Sequence, residues 1–272
     1  MNFDTLKNVE SLQRLIARTV AVHPAGRRLL LIGGFRYRFL DESIRASDDI
    51  DYHWSGSLQK KQAELLSLFK KILLPEVRRR LHYEGTAAPR TGPVAESPAV
   101  RIVDLAFWRA DEASSRIEIP VEITRVRCAD PVEVRTAGGA IYPTASEADM
   151  IESKVIAMFN RPHLQHRDIV DFFLFRDRLS AHAHRRLAAK FRALGLTASA
   201  VEKRMADFRQ HAAYHARAIQ AVMDAQVEPS AATQIHDAGG GKMVFQTILP
   251  VLSALVSTAQ PKPTRTVKGA KT

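Results

Sequence analysis

Leu29-Leu30-Leu31-Ile32-Gly33-Gly34 and, fourteen residues later, Asp49-Ile50-Asp51-Tyr52-His53-Trp54 are the stretches on which the fold turns. The first is a short apolar run stopped by a double glycine, the pattern of a buried strand entering a tight turn. In the second, Ile50, Tyr52 and Trp54 alternate with Asp49, Asp51 and His53, the period-two signature of a strand with one apolar and one polar face. Residues i and i+2 of a strand project to the same side, so the carboxylates of Asp49 and Asp51 are aimed at one point. Two close carboxylates repel one another, and a hard divalent cation relieves that repulsion. The glycine turn, lacking side chains, leaves backbone N–H groups of Gly33 and Gly34 open to phosphate oxygens.

Working outward, Phe3, Leu6, Val9, Leu12, Leu15 and Ile16 recur at helical spacing, which predicts an amphipathic helix at the start. Phe35 to Leu40 reads as a short helix or extended arm. Leu58 to Leu81 is helical in period, with Pro75 marking a break or new start. Gly85 to Pro98, with three prolines and two glycines, reads as an exposed loop. Val100 to Trp108 and Ile117 to Val126 read as strands, Pro120 assigning the second to an edge or a bulge.

From Ser146 onward the pattern is helical. Ser146 and Asp149 form an N-cap pair leading into Met150 to Phe159, and a second helix runs from Arg167 to Leu179. Further helices are expected from Ala181 to Leu194 and, after a Ser199/Glu202 capping box, on to Met223. Gly239-Gly240-Gly241-Lys242 lacks the following Ser/Thr and the preceding strand of a phosphate loop and reads as a linker. The fold class is α+β, with an all-helical second half. The expected division is 1–145, 146–257 and a disordered basic tail, 258–272.

Composition narrows the function classes. A single cysteine, Cys128, rules out an internal disulfide framework and multi-cysteine metal sites. Met1 to Gln13 has no continuous apolar core, and the apolar run Val244 to Val256 is short and interrupted by Pro250. A cytoplasmic protein without a membrane segment is therefore expected. The net charge is +11, yet residues 1–175 carry 25 Lys and Arg against 23 Asp and Glu. Residues 176–220 carry 10 against 3, and the tail adds four bases and no acid. A basic surface of this kind attracts polyphosphate backbones through counterion release, although such a run also serves simply as a solvated helical face.

The stretch Gly33-Gly34 … Arg45-Ala46-Ser47-Asp48-Asp49-Ile50-Asp51 resembles the first motif of the nucleotidyl transferase AbiEii/AbiGii toxin family, within the DNA polymerase β-like nucleotidyltransferase superfamily. Glu152-Ser153-Lys154-Val155-Ile156-Ala157 with Arg161, then Arg167-Asp168-Ile169-Val170-Asp171, resemble its later motifs. The resemblance covers roughly Leu29 to Phe175. It implies a nucleotidyltransferase-like mixed sheet flanked by helices, followed by a C-terminal helical domain that completes the site. Phe35 departs from the pattern, which commonly has Ser or Thr after the double glycine.

The resemblance also implies roles. Asp49 and Asp51 would hold magnesium, two ions being expected, with a third carboxylate on a neighbouring strand. Glu122 has the right local form for it, Asp104 competes, and Glu118 shares parity with Glu122. Lys154 would reach nucleotide phosphates, and Asp168 would act as base or orienting group. Gly33, Gly34, Arg167 and Asp171 would contact substrate, while Arg45 and Ser47 brace the loop before the metal strand. A metal reading of His163 and His166 has little support without a firm ligand pair. The activity implied is transfer of a nucleotidyl group from a nucleoside triphosphate to an acceptor hydroxyl, with RNA, for example the 3′ end of tRNA, as acceptor. The basic segment from Arg176 to Arg217 would dock it. The toxin half of a toxin–antitoxin or phage-defence pair, with a protein antitoxin as partner, is the implied context. An inert nucleotide- or nucleic-acid-binding scaffold is the alternative.

Overall fold

The computed structural model describes residues 3–92, 99–110 and 112–259. The opening elements are α1 (Phe3–Val22), β1 (Leu30–Ile32), α2 (Gly33–Leu40), β2 (Ile50–His53), α3 (Leu58–Leu68) and α4 (Leu74–Leu81). Then come β3 (Glu84–Pro89), β4 (Val100–Arg109), β5 (Glu112–Thr124), β6 (Glu133–Ala137) and β7 (Ala140–Thr144). Seven helices follow: α5 (Glu147–Asn160), α6 (His166–Phe175), α7 (Ala183–Ala193), α8 (Ala198–Gln210), α9 (Ala212–Gln226), α10 (Pro229–Asp237) and α11 (Gly240–Ala259).

The strands form one mixed sheet in the order β3-β4-β5-β2-β1-β7-β6. β1 runs antiparallel to β2 and parallel to β7, while β2 runs parallel to β5 with Asp51 opposite Glu122. Strand parity splits the sheet into two faces. Leu31, Ile50, Tyr52, Ala87, Val103, Leu105, Ile119, Val121 and Ile123 turn one way into a core shared with Leu12 and Ile16 of α1 and Leu65 of α3. Leu30 and Ile32 turn the other way, into a second core built with Ile151, Val155, Ile169, Phe172 and the later helices. The second core therefore reaches back across the boundary expected near residue 145.

Several local expectations change. Gly85 to Pro98 is not all loop: Glu84–Pro89 pairs with β4 as an edge strand, ending at a proline that such an edge tolerates. Residues 93–98 of that expected loop lie outside the described ones. β5 begins five residues before Ile117 and is central. Pro120 is accommodated because the pairing with β2 starts only at Val121, so the proline lies where the strand has a single partner. Pro75 does mark a new start, in the first turn of α4, but the chain stays helical there because a π turn over Phe69–Leu73 carries α3 into α4. The hairpin of β6 and β7 turns on Gly138 and Gly139, both at positive φ.

In the helical half, Ser146 caps α5 by accepting from the Asp149 N–H at 3.0 Å, as expected. The Ser199/Glu202 box does not form, because Thr197 is the cap, and α8 ends at Gln210 with His211 as its C-cap. That bend lets Phe208 and His215 both pack on Phe245. Gly240 and Gly241 are not a linker but the first turn of α11. A Cβ on Gly241 would stand 2.2 Å from the Ala216 carbonyl, so glycine there permits close contact with α9. α11 runs through Pro250 without a break and is the one described helix long and apolar enough, by length and composition alone, to cross a membrane, a measure that a buried core helix also meets. Its apolar stripe of Val244, Phe245, Ile248, Leu252 and Val256 is buried in the second core.

Candidate active site

β2 delivers Asp49 and Asp51, and its parallel neighbour β5 delivers Glu122 directly beside Asp51. One oxygen from each of the three carboxylates falls within 4.8 Å of the others, and this is the one group among the described residues that could hold a metal ion. Oxygen-only donors of this kind suit a hard divalent cation. The electrostatics agree. Burial, then the charges of Asp49 and Glu122, push the Asp51 carboxyl well above its ordinary range. Burial and the charge of Asp49 likewise push Glu122 up. Burial acts on Asp49 in the same direction, but the guanidinium of Arg167 and a hydrogen bond from Ser47 outweigh it and hold that group below its ordinary value. Three acids that repel one another and are only partly neutralised by the protein are the donor set a cation fits.

Asp104, the competitor for the third position, is not in this cluster. It forms a half-exposed salt bridge with Arg90 at 2.5 Å. Glu118 is paired with Arg116 at 3.0 Å.

The double glycine shapes the site in a way the sequence did not disclose. Gly33 has φ of +78°, and a Cβ there would lie 1.8 Å from Asp51 Oδ2. A Cβ on Gly34 would lie 2.4 Å from Arg45 Nη2 and 2.8 Å from Ser47 Oγ. The glycines thus make room for the acidic side chain and for the loop that supports it, and they form the start of α2, which has no side-chain cap. Phe35 turns into the first core and stacks on Phe39, so the residue after the glycines does not face the carboxylates.

The loop before β2 is held from beneath. Arg45 is fully buried and forms a bidentate pair with Asp171, at 2.6 and 2.9 Å, while its third nitrogen donates to Gln226 Oε1 at 2.9 Å. Ser47 donates to Asp49 Oδ1 at 2.7 Å, and Gln13 of α1 donates to the Ser47 carbonyl at 2.7 Å. The bracing expected of Arg45 and Ser47 is what their contacts provide.

The later motifs reach the site from α5 and α6. Arg167 Nη2 lies 2.9 Å from Asp49 Oδ2, a charged contact with the carboxylate cluster itself. Lys154 is buried, 3.0 Å from Asp168 and 2.7 Å from Asp171, so its amine faces two carboxylates where phosphates were expected. Burial works against its charge, but Asp171 and then Asp168 hold the amine above its ordinary value. Asp168 also takes a 2.5 Å contact from Arg161. Asp171 is 0% exposed, and the substrate contact expected of it has no open oxygen to make it. His166 bonds to His215 at 3.0 Å, with Tyr214 packed edge-on, while Asp207 comes only to 3.7 Å from His215 Nε2, and among the described residues this cluster does not gather three metal donors.

A cleft of about 660 Å³ opens above these carboxylates, lined by Asp48, Asp49 and Glu122, by Asp104 and Glu118, and by Arg90, Arg116 and Arg167. Arg90 and Arg116 were not singled out from sequence. Their only sequence signal is strand parity with Asp104 and Glu118, which a single chain does not mark.

A mixed sheet with two strand carboxylates following a Gly-Gly helix start, a third on a parallel neighbour, and a helical second half defines a nucleotidyltransferase fold. Comparison with solved structures agrees. The chain matches the nucleotidyltransferase toxin MenT4 of Mycobacterium tuberculosis at a TM-score of 0.55 and 14% identity, covering 94% of each chain. It matches a candidate nucleotidyltransferase from Helicobacter pylori at a TM-score of 0.50 and 16% identity, covering 96% of this chain and 100% of that one. No family model matches the sequence, and no curated protein is a significant match.

Proposed function

We propose that this protein is a magnesium-dependent nucleotidyltransferase that moves a nucleotidyl group from a nucleoside triphosphate to an acceptor hydroxyl, with RNA as the acceptor class. The observation that carries this reading is the convergence of Asp49, Asp51 and Glu122 within 4.8 Å beside a helix start that has no side-chain cap. Held by these three carboxylates, magnesium, with two ions expected, would activate the acceptor hydroxyl and offset charge on the phosphates.

The chain's own residues account for the rest. The positive end of α2, begun by Gly33 and Gly34, offers uncapped N–H groups to a phosphate. Arg167, 2.9 Å from Asp49 in the cleft, brings a bidentate donor for phosphate oxygens. Lys154, Asp168, Asp171 and Arg45 form a buried charge network that fixes α5 and α6 against the metal strand. In the transfer, the acceptor oxygen bonds to the α-phosphorus and the bond to the pyrophosphate oxygen breaks. Pyrophosphate leaves with the electron pair, and the hydroxyl proton passes to solvent.

The basic segment from Arg176 to Arg217, outside Arg178, Arg186 and Lys190, which are paired with carboxylates, is where the body of an RNA such as tRNA would dock. The toxin half of a cytoplasmic toxin–antitoxin or phage-defence pair, neutralised by a protein antitoxin, is the context in keeping with this reading. So is a catalytic unit over 1–145 completed by helices over 146–257. The test is incubation with each α-³²P nucleoside triphosphate, magnesium and total RNA, followed by a sizing gel. Labelled RNA is expected from the wild type and none from Asp49→Asn or Asp51→Asn. Undiminished transfer by the double variant refutes the site.

One observation favours a second reading, a scaffold that binds nucleotide without turnover. Lys154 is already neutralised by Asp168 and Asp171, leaving Arg167 and the helix start to bear the phosphates. Calorimetry that records nucleotide binding with magnesium, while the gel shows no product, selects it.

A further inference from the structure

The sheet is covered unevenly. One face is packed by α1 and α3 along β5, β4 and β3, and the opposite face is packed by helices beneath β1, at Leu30 and Ile32. The opposite face of β5, β4 and β3 forms the wall of the cleft instead. Its floor is made of Thr86 and Ala88 on β3, Ala106 on β4 and Pro120 on β5. These residues are in register: Thr86 faces Ala106, and Ala88 and Pro120 both face Asp104. Asp104 stands between Ala88 and Pro120 on this face and is drawn to Arg90, and the small side chains around it leave a shallow trough. With strands about 4.8 Å apart, it runs roughly 10 Å from Glu122 to the sheet edge.

Polar groups line the walls of this floor. Arg90, Arg116 and Arg167 each engage a carboxylate of the same cleft, namely Asp104, Glu118 and Asp49. The Arg116–Glu118 pair is solvent-exposed, and such a pair contributes only about 0–1 kcal/mol, so that guanidinium exchanges readily to a phosphate, which it can grip through two parallel hydrogen bonds. Arg90 is gripped by Asp104 through two nitrogens and stands half-exposed beside it, with its outer edge towards the cleft. The volume of about 660 Å³ is in the range of pockets that hold nucleotide-sized ligands.

We infer that this trough receives the single-stranded end of the acceptor, with its terminal sugar at Glu122 and its phosphodiester oxygens on Arg90 and Arg116. The inference rests on the nucleotidyltransferase reading and names a subsite for it. In an in-line displacement the attacking and leaving oxygens lie on opposite sides of the phosphorus. The leaving pyrophosphate belongs with the start of α2, on the β1 side of the carboxylates. The attacking hydroxyl must then arrive from the β5 side, where the open surface is this trough.

The test uses the full-length protein and a short fluorescein-labelled single-stranded RNA, read by anisotropy with magnesium and a non-hydrolysable nucleotide analogue. Arg90→Ala/Arg116→Ala is expected to weaken RNA binding by about tenfold or more, on the scale of lost arginine–phosphate contacts. Ala106→Trp, which fills the floor, is expected to weaken it likewise. Affinity for the nucleotide analogue is expected to stay within about twofold in both, and Arg79→Ala on α4 should behave as wild type. RNA affinity unchanged in both trough variants overturns the inference, as does wild-type protein that fails to bind the strand. Because the readout is binding, absence of turnover would count against the catalytic reading while leaving this test decisive for the trough.

Discussion

The carboxylate of Asp51 occupies the space that a side chain on Gly33 would fill, since a Cβ there would come within 1.8 Å of Oδ2 and 2.8 Å of the Asp51 Cβ. The whole acidic side chain, not only its tip, depends on the absence of a methyl group. Gly33 also sits at φ +78°, where an L-residue loses about 1–2 kcal/mol. Gly33→Ala is therefore expected to destabilise the protein by about 2 kcal/mol or more and to turn Asp51 out of the cluster. Thermal unfolding with and without magnesium checks this. Stabilisation by magnesium, expected in wild type, should vanish, and a variant that keeps it would show that Asp51 is free to move without loss of the site.

The register of β2 on β5 separates the two candidates for the third carboxylate. Asp51 faces Glu122, whereas Asp104 faces Pro120 one strand further out and is engaged with Arg90. Glu122→Gln is expected to lower nucleotidyl transfer by about a hundredfold or more, the scale for losing a group aimed at transition-state charge. Asp104→Asn should fall by less than about tenfold. Rates from the labelling assay, measured side by side, decide it, and the reverse order would move the metal site outward.

What could be read in advance follows from period and spacing. The strand before Gly33-Gly34, the alternation around Asp49 and Asp51, and the Ser146 cap are local patterns, and each appears where its residues predict. Glu122 could be favoured but not fixed, because its place depends on which strand pairs with β2, a long-range choice that no local pattern records. The same holds for β3: a stretch rich in Pro and Gly reads as loop until its neighbour β4 supplies a ladder. Lys154 and Asp171 were legible as polar residues on helix faces. Their mutual neutralisation needed the packing of α5 against α6. Gly240 and Gly241 misled because glycine marks both linkers and close helix contacts.

Asp171 tests the difference between a substrate contact and a structural charge. It accepts from Arg45 and from Lys154, and all three side chains are buried. Asp171→Asn leaves two buried cations with one compensating carboxylate, Asp168, and an uncompensated buried charge costs about 3–5 kcal/mol. Urea unfolding is expected to show a loss of that order. Loss of transfer activity at full stability would instead place Asp171 in contact with substrate.

His166 carries a pH signature. Burial, and then its neighbour His215, lower its pKa from the ordinary 6.5 to about 4. The folded protein thus prefers the neutral ring, and the unfolded chain takes up the proton first. The associated stability is present above about pH 6.5 and is lost as pH falls towards 4. With a half-exposed ring the effect is about 1 kcal/mol, well below the full shift. Unfolding free energy followed from pH 7 to pH 4 should drop less steeply in His166→Gln than in wild type. Parallel curves would mean that the ring titrates alike in both states.

Arg167 holds Asp49 Oδ2 at 2.9 Å, and so it competes with any cation for an oxygen of the cluster. Its removal acts in two opposed ways. Without nucleotide, Arg167→Gln frees Asp49 and leaves the three carboxylates with less compensating charge, so divalent cations should bind more tightly. A partly exposed pair of this kind contributes about 1 kcal/mol, which corresponds to roughly a fivefold gain. With nucleotide present, the same variant lacks a phosphate donor, and affinity for the triphosphate should fall by about tenfold. Manganese binding followed by paramagnetic resonance reads the first effect, and calorimetry with a non-hydrolysable analogue reads the second. A decrease in both affinities would mean that the guanidinium orders Asp49 for the metal rather than competing with it, and the displacement argument would fail.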